Sequence, residues 1–273
     1  MPTVHLETGM EMYHEIEGSG PPLLLIMGTA SGHETWSNQV AAYRDNFTVV
    51  TYDARGTGRS THTADPTAYT MASLADDAAA LIRHLDLGPF HVSGLSLGSA
   101  TAQELALRHP DLVRTLQLHC TWGDSDEWFC RMIDTMEVPV LAGDLRMYIR
   151  LAMMWVASPH FVNERRADVE AFERGFLLEN PYPASREGIL GHFHADKTHH
   201  TLDRLGQISV PTLVTSGEVD WQVPARYGRD VHQRIPGADF HMFTGPQSSH
   251  IAFHEMTDEW NRLTLDWLRA QAI

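Results

Sequence analysis

The sequence predicts an α/β fold, in which a mostly parallel β-sheet is flanked by helices and interrupted by an inserted helical cap. Short, continuous apolar runs indicate strands that are buried on both faces. They lie at residues 22–28, 47–52, 90–93, 113–119 and 211–215. Apolar residues at helical spacing over 71–85 separate two of these runs. Strands that alternate with helices predict parallel pairing through right-handed crossovers.

The remaining elements of the predicted sheet domain lie at the two ends of the chain and after the 90–93 run. Weak alternation over 4–16, around a turn at 7–9, predicts an antiparallel hairpin at a sheet edge. A helix is predicted from 99 to 108, and it ends there because Pro110 cannot continue it. A last strand at 239–243 precedes an amphipathic closing helix over 257–271.

The stretch from 120 to about 205 has a different character. It is rich in Trp, Met and Phe, shows helical periodicity around 145–155 and 169–178, and contains no convincing buried strand. We therefore expect a core domain formed by residues 1–121 and 206–273, with residues 122–205 as a helical cap inserted into it.

Length and composition restrict the class of protein. A chain of 273 residues with 43% hydrophobic content suits one large domain, and a net charge of −15 disfavours nucleic acid and anionic membranes as partners. The first residues lack a signal peptide, and no apolar stretch is long enough to span a bilayer. Cys120 and Cys130 are interpreted as reduced thiols, although a single bridge between them stays open. We expect a cytoplasmic protein and leave its oligomeric state open, with a homodimer as one option.

The strongest local signal is the segment Gly94-Leu95-Ser96-Leu97-Gly98. It follows a buried strand and begins a helix, which is the context that a GxSxG nucleophile elbow requires. Glycines on either side allow the strand and helix to approach closely, so that the serine projects above the sheet. Ser96 is therefore the predicted nucleophile. The alternative is a tight turn in which the serine has no chemical role.

A serine nucleophile needs a general base within hydrogen-bonding reach. Seventeen histidines compete for this role, so position along the chain decides between them. His250 follows the last predicted strand and precedes the closing helix, where a loop returns to the carboxyl edge of the sheet. It is preferred to His254, the nearest rival, because the acid and the histidine follow the serine in this chain order.

The predicted orienting acid is Asp220, which follows the strand at 211–215 and so lies at the carboxyl edge of the sheet, where ligands of α/β folds bind. A carboxylate there holds the imidazole in one tautomer and stabilises the imidazolium. Glu218 and Asp124 remain as rivals.

The predicted oxyanion hole combines two backbone N–H groups. Leu97, which directly follows the nucleophile, supplies one, and Thr29, after the strand at 22–28, is the candidate for the other. A simple strand-ending turn at Gly28-Thr29 is the alternative.

Together these motifs resemble the α/β-hydrolase superfamily, and in particular its cap-bearing esterases, enol-lactonases and cofactor-free perhydrolases. The resemblance is carried by Gly94–Gly98, Tyr52–Ser60, Gly217–Asp220 followed by Val223-Pro224, and Ser249-His250 with Glu255. It implies structural roles for Asp53 and Arg55 beside the active site. The usual His-Gly pair before the oxyanion residue is replaced by Met27-Gly28.

Two groups of residues in the cap region have the composition of ligand sites. His192, His194, Asp196, His199 and His200 suit zinc in composition, but a polar connector between cap and core explains them as well, and we predict no metal site. Large apolar residues of the cap region predict a substrate pocket. The residues assigned to it are Trp122, Trp128, Met132, Met153 and Trp155.

The predicted activity is hydrolysis of a small or medium carboxylic ester or lactone through an acyl-enzyme on Ser96, without a cofactor. The same triad would support hydrolysis of a carbon–carbon bond or a perhydrolase reaction. A ligand-binding receptor built on the same fold is the alternative from another class, because fold alone does not determine function. A small-molecule ester or lactone is the predicted partner.

Overall fold

The computed structural model describes residues 3–271, and within them eight strands form a single sheet. The strands are β1 (Thr3–His5), β2 (Glu11–Gly18), β3 (Pro22–Ile26), β4 (Thr48–Tyr52), β5 (Phe90–Leu95), β6 (Val113–His119), β7 (Thr212–Gly217) and β8 (Asp239–Phe243). Their order in the sheet is β1-β2-β4-β3-β5-β6-β7-β8. Only β2 runs antiparallel to its neighbours, β1 and β4, and all the other pairs are parallel. The predicted fold class is therefore confirmed.

Helices pack on both faces of the sheet, and a group of them lies between β6 and β7 in the chain. The first three are α1 (Ser37–Tyr43), α2 (Met71–Leu85) and α3 (Leu97–Arg108). Those between β6 and β7 are α4 (Glu127–Leu141), α5 (Leu145–Val156), α6 (Pro159–Glu164), α7 (Arg166–Glu173) and α8 (Arg186–Thr198). The last three are α9 (Ala225–Arg234), α10 (Ala252–Glu255) and α11 (Thr257–Gln271). We call α4 to α8 the insert helices.

Local sequence signals account for several helix boundaries. Helix α2 has the predicted bounds because Thr70 and Ser73 form a capping box at its start, and Asp86 ends it in a left-handed conformation with φ 50°. Helix α8 begins after Ser185, whose hydroxyl accepts the N–H of Gly188. Helix α3 begins at Leu97, two residues earlier than predicted, since the tight turn at Ser96 leads directly into it.

The insert helices share a hydrophobic core with one face of the sheet. That core contains Trp36, Tyr43 and Trp260 of the sheet domain together with Phe161 and Phe193 of the insert helices. The opposite face is covered mainly by α2, α3 and α9, in a second core. The insert helices are thus packed continuously against the sheet domain. The proposed boundaries of the core and cap domains stay a prediction.

The periodic segments predicted between β6 and β7 correspond to helices. The pattern at 145–155 is α5, and the pattern at 169–178 covers part of α7 and a π-helical turn over Arg174–Leu178. Across residues 3–271, no helix has the length and apolar character needed to cross a bilayer.

Candidate active site

Ser96 occupies the sharp turn between β5 and α3, at the carboxyl edge of the sheet. Its backbone has φ 56° and ψ −126°, a conformation that non-glycine residues adopt rarely and that is concentrated at functional sites. A Cβ atom at Gly94 would lie 2.2 Å from the carbonyl oxygen of Gly98, and one at Gly98 would lie 2.1 Å from that of Ile26. Both glycines of the predicted elbow are therefore required by close backbone approach.

His250 and Asp220 form a buried pair at the same edge of the sheet. The Nδ1 atom of His250 lies 2.9 Å from Oδ2 of Asp220. The other carboxylate oxygen accepts the backbone N–H groups of Gln222, at 3.0 Å, and Val223, at 2.8 Å. Because a carboxylate only accepts hydrogen bonds, the imidazole proton belongs on Nδ1, and Nε2 is left free to accept a proton.

The rival residues have other partners. Asp124 lies 2.7 Å from the imidazole of His200, and Glu218 accepts the backbone N–H of Gly245 at 3.0 Å. His254 is exposed and packs its ring edge against Phe161. The structure thus brings His250 together with Asp220 rather than with either rival acid, while the catalytic roles themselves stay predictions.

Ser96 and His250 line the same cavity, which has a volume of about 90 Å³. The sheet domain supplies one side of it, including Thr29 and Leu95. The insert helices supply the other, largely apolar side, formed by Met136, Tyr148, Ile149, Ala152, Met153, Val156, Phe172 and Phe193. Among the described residues that line the cavity, there is no Asp, Glu, Lys or Arg side chain.

Of the five residues predicted to bind substrate, only Met153 lines this cavity. Trp122 is buried against Phe129, with ring centroids 4.7 Å apart, and Met132 is buried in the same core. Trp128 is 42% exposed and packs edge-on against Trp155. These four residues belong to the packing of the insert helices instead of the cavity wall. Composition alone could not show which face of each helix points inward.

Tyr148, Ile149, Ala152 and Val156 were missed from the sequence, although together with the predicted Met153 they form one stripe on α5. Their spacing places them on a single helical face, so the periodicity of 145–155 contained the signal. Phe193 on α8 and Gln222 beside Asp220 also line the cavity, and no sequence pattern singled them out.

The two predicted oxyanion donors come from different elements, the start of α3 and the loop after β3. Leu97 is the first residue of α3, so its N–H has no acceptor within the helix. Thr29 follows β3 and lines the cavity. A Cβ atom at Gly28 would lie 3.1 Å from Cβ of Ser96, so the loop that carries Thr29 passes directly beside the serine.

Three of the five residues in the histidine-rich cluster, His192, Asp196 and His200, have separate partners. His192 is hydrogen-bonded through both ring nitrogens to backbone groups, Asp196 binds the Thr29 hydroxyl, and His200 pairs with Asp124. The contacts of His192 and Asp196 connect α8 to the loops after β3 and β4, in keeping with the predicted connector between cap and core.

Comparison with known proteins places this geometry in a family. Residues 21–255 match the α/β-hydrolase fold family. The chain belongs to that family. It is a hydrolase of the α/β fold, whose sheet and sharp turn at Ser96 have the architecture described above.

Individual relatives span nearly the whole hydrolase. A protein named "Putative carbamate hydrolase RutD" from Azorhizobium caulinodans is 28% identical over 228 residues, 84% of each chain. A hydrolase from Pseudomonas aeruginosa superposes with a TM-score of 0.88 at 26% identity, covering 98% of this chain and 97% of that one. The enol-lactonase from Burkholderia xenovorans has a TM-score of 0.86 at 24% identity over 98% of this chain and 100% of its own, a likeness of fold alone.

Glu255 fixes the loop that carries His250 through hydrogen bonds to Ser249 and Ser158. Its buried carboxylate accepts the Ser249 hydroxyl at 2.7 Å and the backbone N–H of Ser158 at 2.8 Å, and the Ser158 hydroxyl binds its second oxygen. Ser158 is the N-cap of α6, so one carboxylate joins an insert helix to the residue next to His250.

Asp53 and Arg55 fix the loop that follows β4 through contacts with neighbouring segments. Asp53 is buried and accepts the backbone N–H groups of His33 and Arg59, each at 2.9 Å. Arg55 makes a two-pronged ion pair with Asp77 of α2, at 2.6 and 2.9 Å. Such two-pronged pairs fix orientation, in keeping with the structural roles that the family resemblance implied.

Cys120 packs against the histidine–aspartate pair. Its thiol donates to the carbonyl oxygen of His250 at 3.4 Å, and burial together with the charge of Asp220 raises its pKa well above the usual range. Cys120, Asp220 and His250 place one potential metal-ligating atom each within 4.8 Å of one another. The hydrogen bonds already described account for this proximity, and a protonated thiol is a poor metal ligand.

Proposed function

We propose that this hydrolase cleaves an uncharged carboxylic ester or lactone through an acyl-enzyme on Ser96. The observation that carries the proposal is the cavity shared by Ser96 and His250, with Asp220 2.9 Å behind the imidazole. A serine hydroxyl that lines the cavity, a base with a free Nε2 and a carboxylate that orients the base are the parts that nucleophilic acyl transfer needs.

In the acylation step, Oγ of Ser96 attacks the carbonyl carbon while Nε2 of His250 takes the hydroxyl proton. The negative charge that develops on the carbonyl oxygen is stabilised by the N–H groups of Leu97 and Thr29. Collapse of the tetrahedral intermediate breaks the bond to the leaving oxygen, which receives the proton from His250. The carboxylate of Asp220 stabilises the imidazolium throughout this step.

Deacylation repeats the sequence with water as the nucleophile. His250 takes a proton from water as its oxygen attacks the acyl carbon, and the second tetrahedral intermediate uses the same two N–H groups. Its collapse releases the carboxylic acid and returns the proton to Oγ of Ser96. No redox step or additional reactant is required.

The cavity wall supports an uncharged substrate. Its insert-helix side is formed by Met, Ile, Val, Ala and Phe side chains with the single hydroxyl of Tyr148. A carboxylate placed there would lose its hydration without gaining a cationic partner, which is strongly unfavourable. An apolar acyl group gains from the same transfer.

A matched pair of substrates tests both parts of this proposal. p-Nitrophenyl butyrate and mono-p-nitrophenyl succinate have acyl chains of equal length, but only the second carries a carboxylate. We expect kcat/KM for the butyrate to exceed that for the succinate by about 10²-fold or more, since the buried charge has no partner. An uncharged p-nitrophenyl carbamate belongs in the same panel because of the name borne by the RutD relatives.

Ser96→Ala is the control for the mechanism. We expect kcat to fall on the order of 10⁶-fold, as in triad knockouts elsewhere, with an unchanged melting temperature because alanine adds no atoms to the turn. Residual activity above a few per cent of the wild type would exclude Ser96 as the nucleophile. A single slow turnover with a large ligand-induced rise in melting temperature would favour a receptor, and equal rates on the matched pair would contradict the uncharged substrate class.

A further inference from the structure

Helix α8 contacts two successive residues, Thr29 and Ala30, of the loop that follows β3. We call this loop, which carries the predicted oxyanion donor, the oxyanion loop. The N–H of Ala30 donates to Nδ1 of His192 at 3.0 Å, and the Thr29 hydroxyl donates to Oδ2 of Asp196 at 2.9 Å. His192 and Asp196 are four residues apart, so they project from the same face of the helix. One side of α8 therefore holds both the residue that supplies an oxyanion donor and its neighbour.

Both side chains of α8 are held in a form suited to this contact. His192 donates from Nε2 to the carbonyl oxygen of Arg55 at 2.9 Å, which leaves Nδ1 as an acceptor. Burial lowers the pKa of His192 to about 4, so the ring stays neutral and keeps that acceptor at neutral pH. Asp196 is 2% exposed, and its Oδ1 is buried without a partner in the described part of the chain.

The loop itself requires support from outside. Ala30 has φ 59°, in the left-handed region that a residue with a Cβ atom seldom adopts. The loop runs so close to Ser96 that a Cβ atom at Gly28 would lie 3.1 Å from Cβ of the serine. A strained backbone persists only where the surrounding contacts fix it, and here α8 supplies two of these contacts.

We propose that His192 and Asp196 are positioning residues of the oxyanion hole, so that the hole is complete only when α8 is docked on the Thr29–Ala30 loop. The proposal rests on the proposed function, because it gives the loop its catalytic meaning. Phe193 lies between the two residues in sequence and lines the cavity, so the same helix also contacts the bound acyl group. The insert helices thereby act on the reacting carbonyl as well as on the acyl chain.

The charge of Asp196 decides which substitutions are informative. Burial raises the pKa of Asp196 to about 7, and a charged carboxylate in contact with the residue that supplies an oxyanion donor would oppose formation of the oxyanion. Asp196→Asn keeps an oxygen acceptor for the Thr29 hydroxyl without a charge, whereas Asp196→Ala removes the acceptor. A role in positioning therefore predicts that the asparagine variant retains activity and the alanine variant does not.

The experiment compares four variants on p-nitrophenyl butyrate. We expect Asp196→Ala and Thr29→Val each to lower kcat about 10-fold while KM changes less than about twofold, because one hydrogen bond that fixes the transition-state donor is lost. The double variant should be no worse than either single one, since both remove the same contact. Asp196→Asn should stay within about threefold of the wild type, and Thr198→Ala on the exposed side of α8 is the matched control.

A second measurement separates positioning from general stability. The affinity of a trifluoromethyl ketone, whose adduct on Ser96 carries an oxyanion, should weaken in proportion to kcat in the affected variants. Unchanged kcat in Thr29→Val, which removes only a hydroxyl, would overturn the inference even if Asp196→Ala failed to fold. Strict additivity in the double variant, or an asparagine variant as slow as the alanine one, would also overturn it. Activity that survives Ser96→Ala would instead contradict the proposed function itself.

Discussion

Four buried histidines make the stability of this hydrolase dependent on pH between 8 and 5. His91, His119, His192 and His199 are at most 3% exposed. Burial lowers their pKa values to about 4, 3, 4 and 3, respectively. The imidazole of His119, for example, lies between the hydroxyls of Ser93 on β5 and Thr215 on β7. Its ring centroid is 4.6 Å from that of Trp260, so an imidazolium there would be poorly solvated.

The sign of the effect follows from the order of the pKa values. The pKa of an unfolded histidine is about 6.5, above that of each folded one, so the unfolded chain binds protons first as the pH falls. The free energy of unfolding is therefore greatest above pH 6.5 and decreases toward pH 3–4. At pH 5 each of the four costs about 2 kcal/mol, or about 8 kcal/mol together.

Asp196 opposes this loss. Its folded pKa of about 7 exceeds that of an unfolded aspartate, so the folded state gains about 3 kcal/mol between pH 8 and 5. The five groups together should thus reduce the free energy of unfolding by about 5 kcal/mol, a large share of the roughly 5–15 kcal/mol typical of a protein.

Urea unfolding followed by tryptophan fluorescence at pH 8, 7, 6 and 5 measures this loss. His119→Gln, which keeps hydrogen-bonding capacity but cannot titrate, should reduce the loss by about 2 kcal/mol. His5→Gln is the control, because the side chain of His5 is 81% exposed. A free energy of unfolding that stays constant from pH 8 to 5, or an equal loss in His119→Gln and the wild type, would refute the reasoning.

Three further predictions concern the site. Asp220→Asn should lower kcat by at least about 10²-fold, because the neutral amide cannot stabilise imidazolium, whereas Asp124→Asn should stay near wild type; the reverse order would move the acid to the earlier strand. Gly98→Ala should be less stable and nearly inactive in melting and esterase assays, since its Cβ would lie 2.1 Å from the Ile26 carbonyl oxygen; a fully active, equally stable variant would contradict this. Glu255→Gln should lower both the melting temperature and kcat, the latter by about 10-fold, because three donors lose an anionic acceptor; an unchanged kcat would show that the histidine loop is fixed without it.

The sheet domain was predictable because its signals are local. Buried parallel strands appear as short apolar runs, and the parallel topology brings their carboxyl ends to one edge. Ser96 and Asp220 each followed such a run and His250 followed the last predicted strand, so their convergence was a consequence of topology. The bounds of α2 could be predicted for the same reason, since the cap at Thr70 lies next to its helix.

The contacts made by the insert helices could not be predicted in the same way. Trp122 and Trp128 are residue types typical of a ligand pocket. Trp122, however, is buried beside Phe129, and Trp128 is partly exposed. Which face of a helix meets the cavity depends on how several helices pack together, and this information is spread over distant residues. The contact between Thr29 and Asp196, 167 residues apart, has no local signal at all.

The hydrogen bonds between Ser158 and the buried carboxylate of Glu255 limit how chimeric enzymes can be constructed. Exchanging the insert helices for those of a relative is an obvious route to new substrate selectivity, because these helices form the apolar side of the cavity. A donor segment without a serine at the start of α6 would remove the hydroxyl that donates to the buried Glu255, and a proline there would remove the backbone N–H partner as well. Successful grafts should therefore carry Ser158, together with His192 and Asp196, as fixed junction residues.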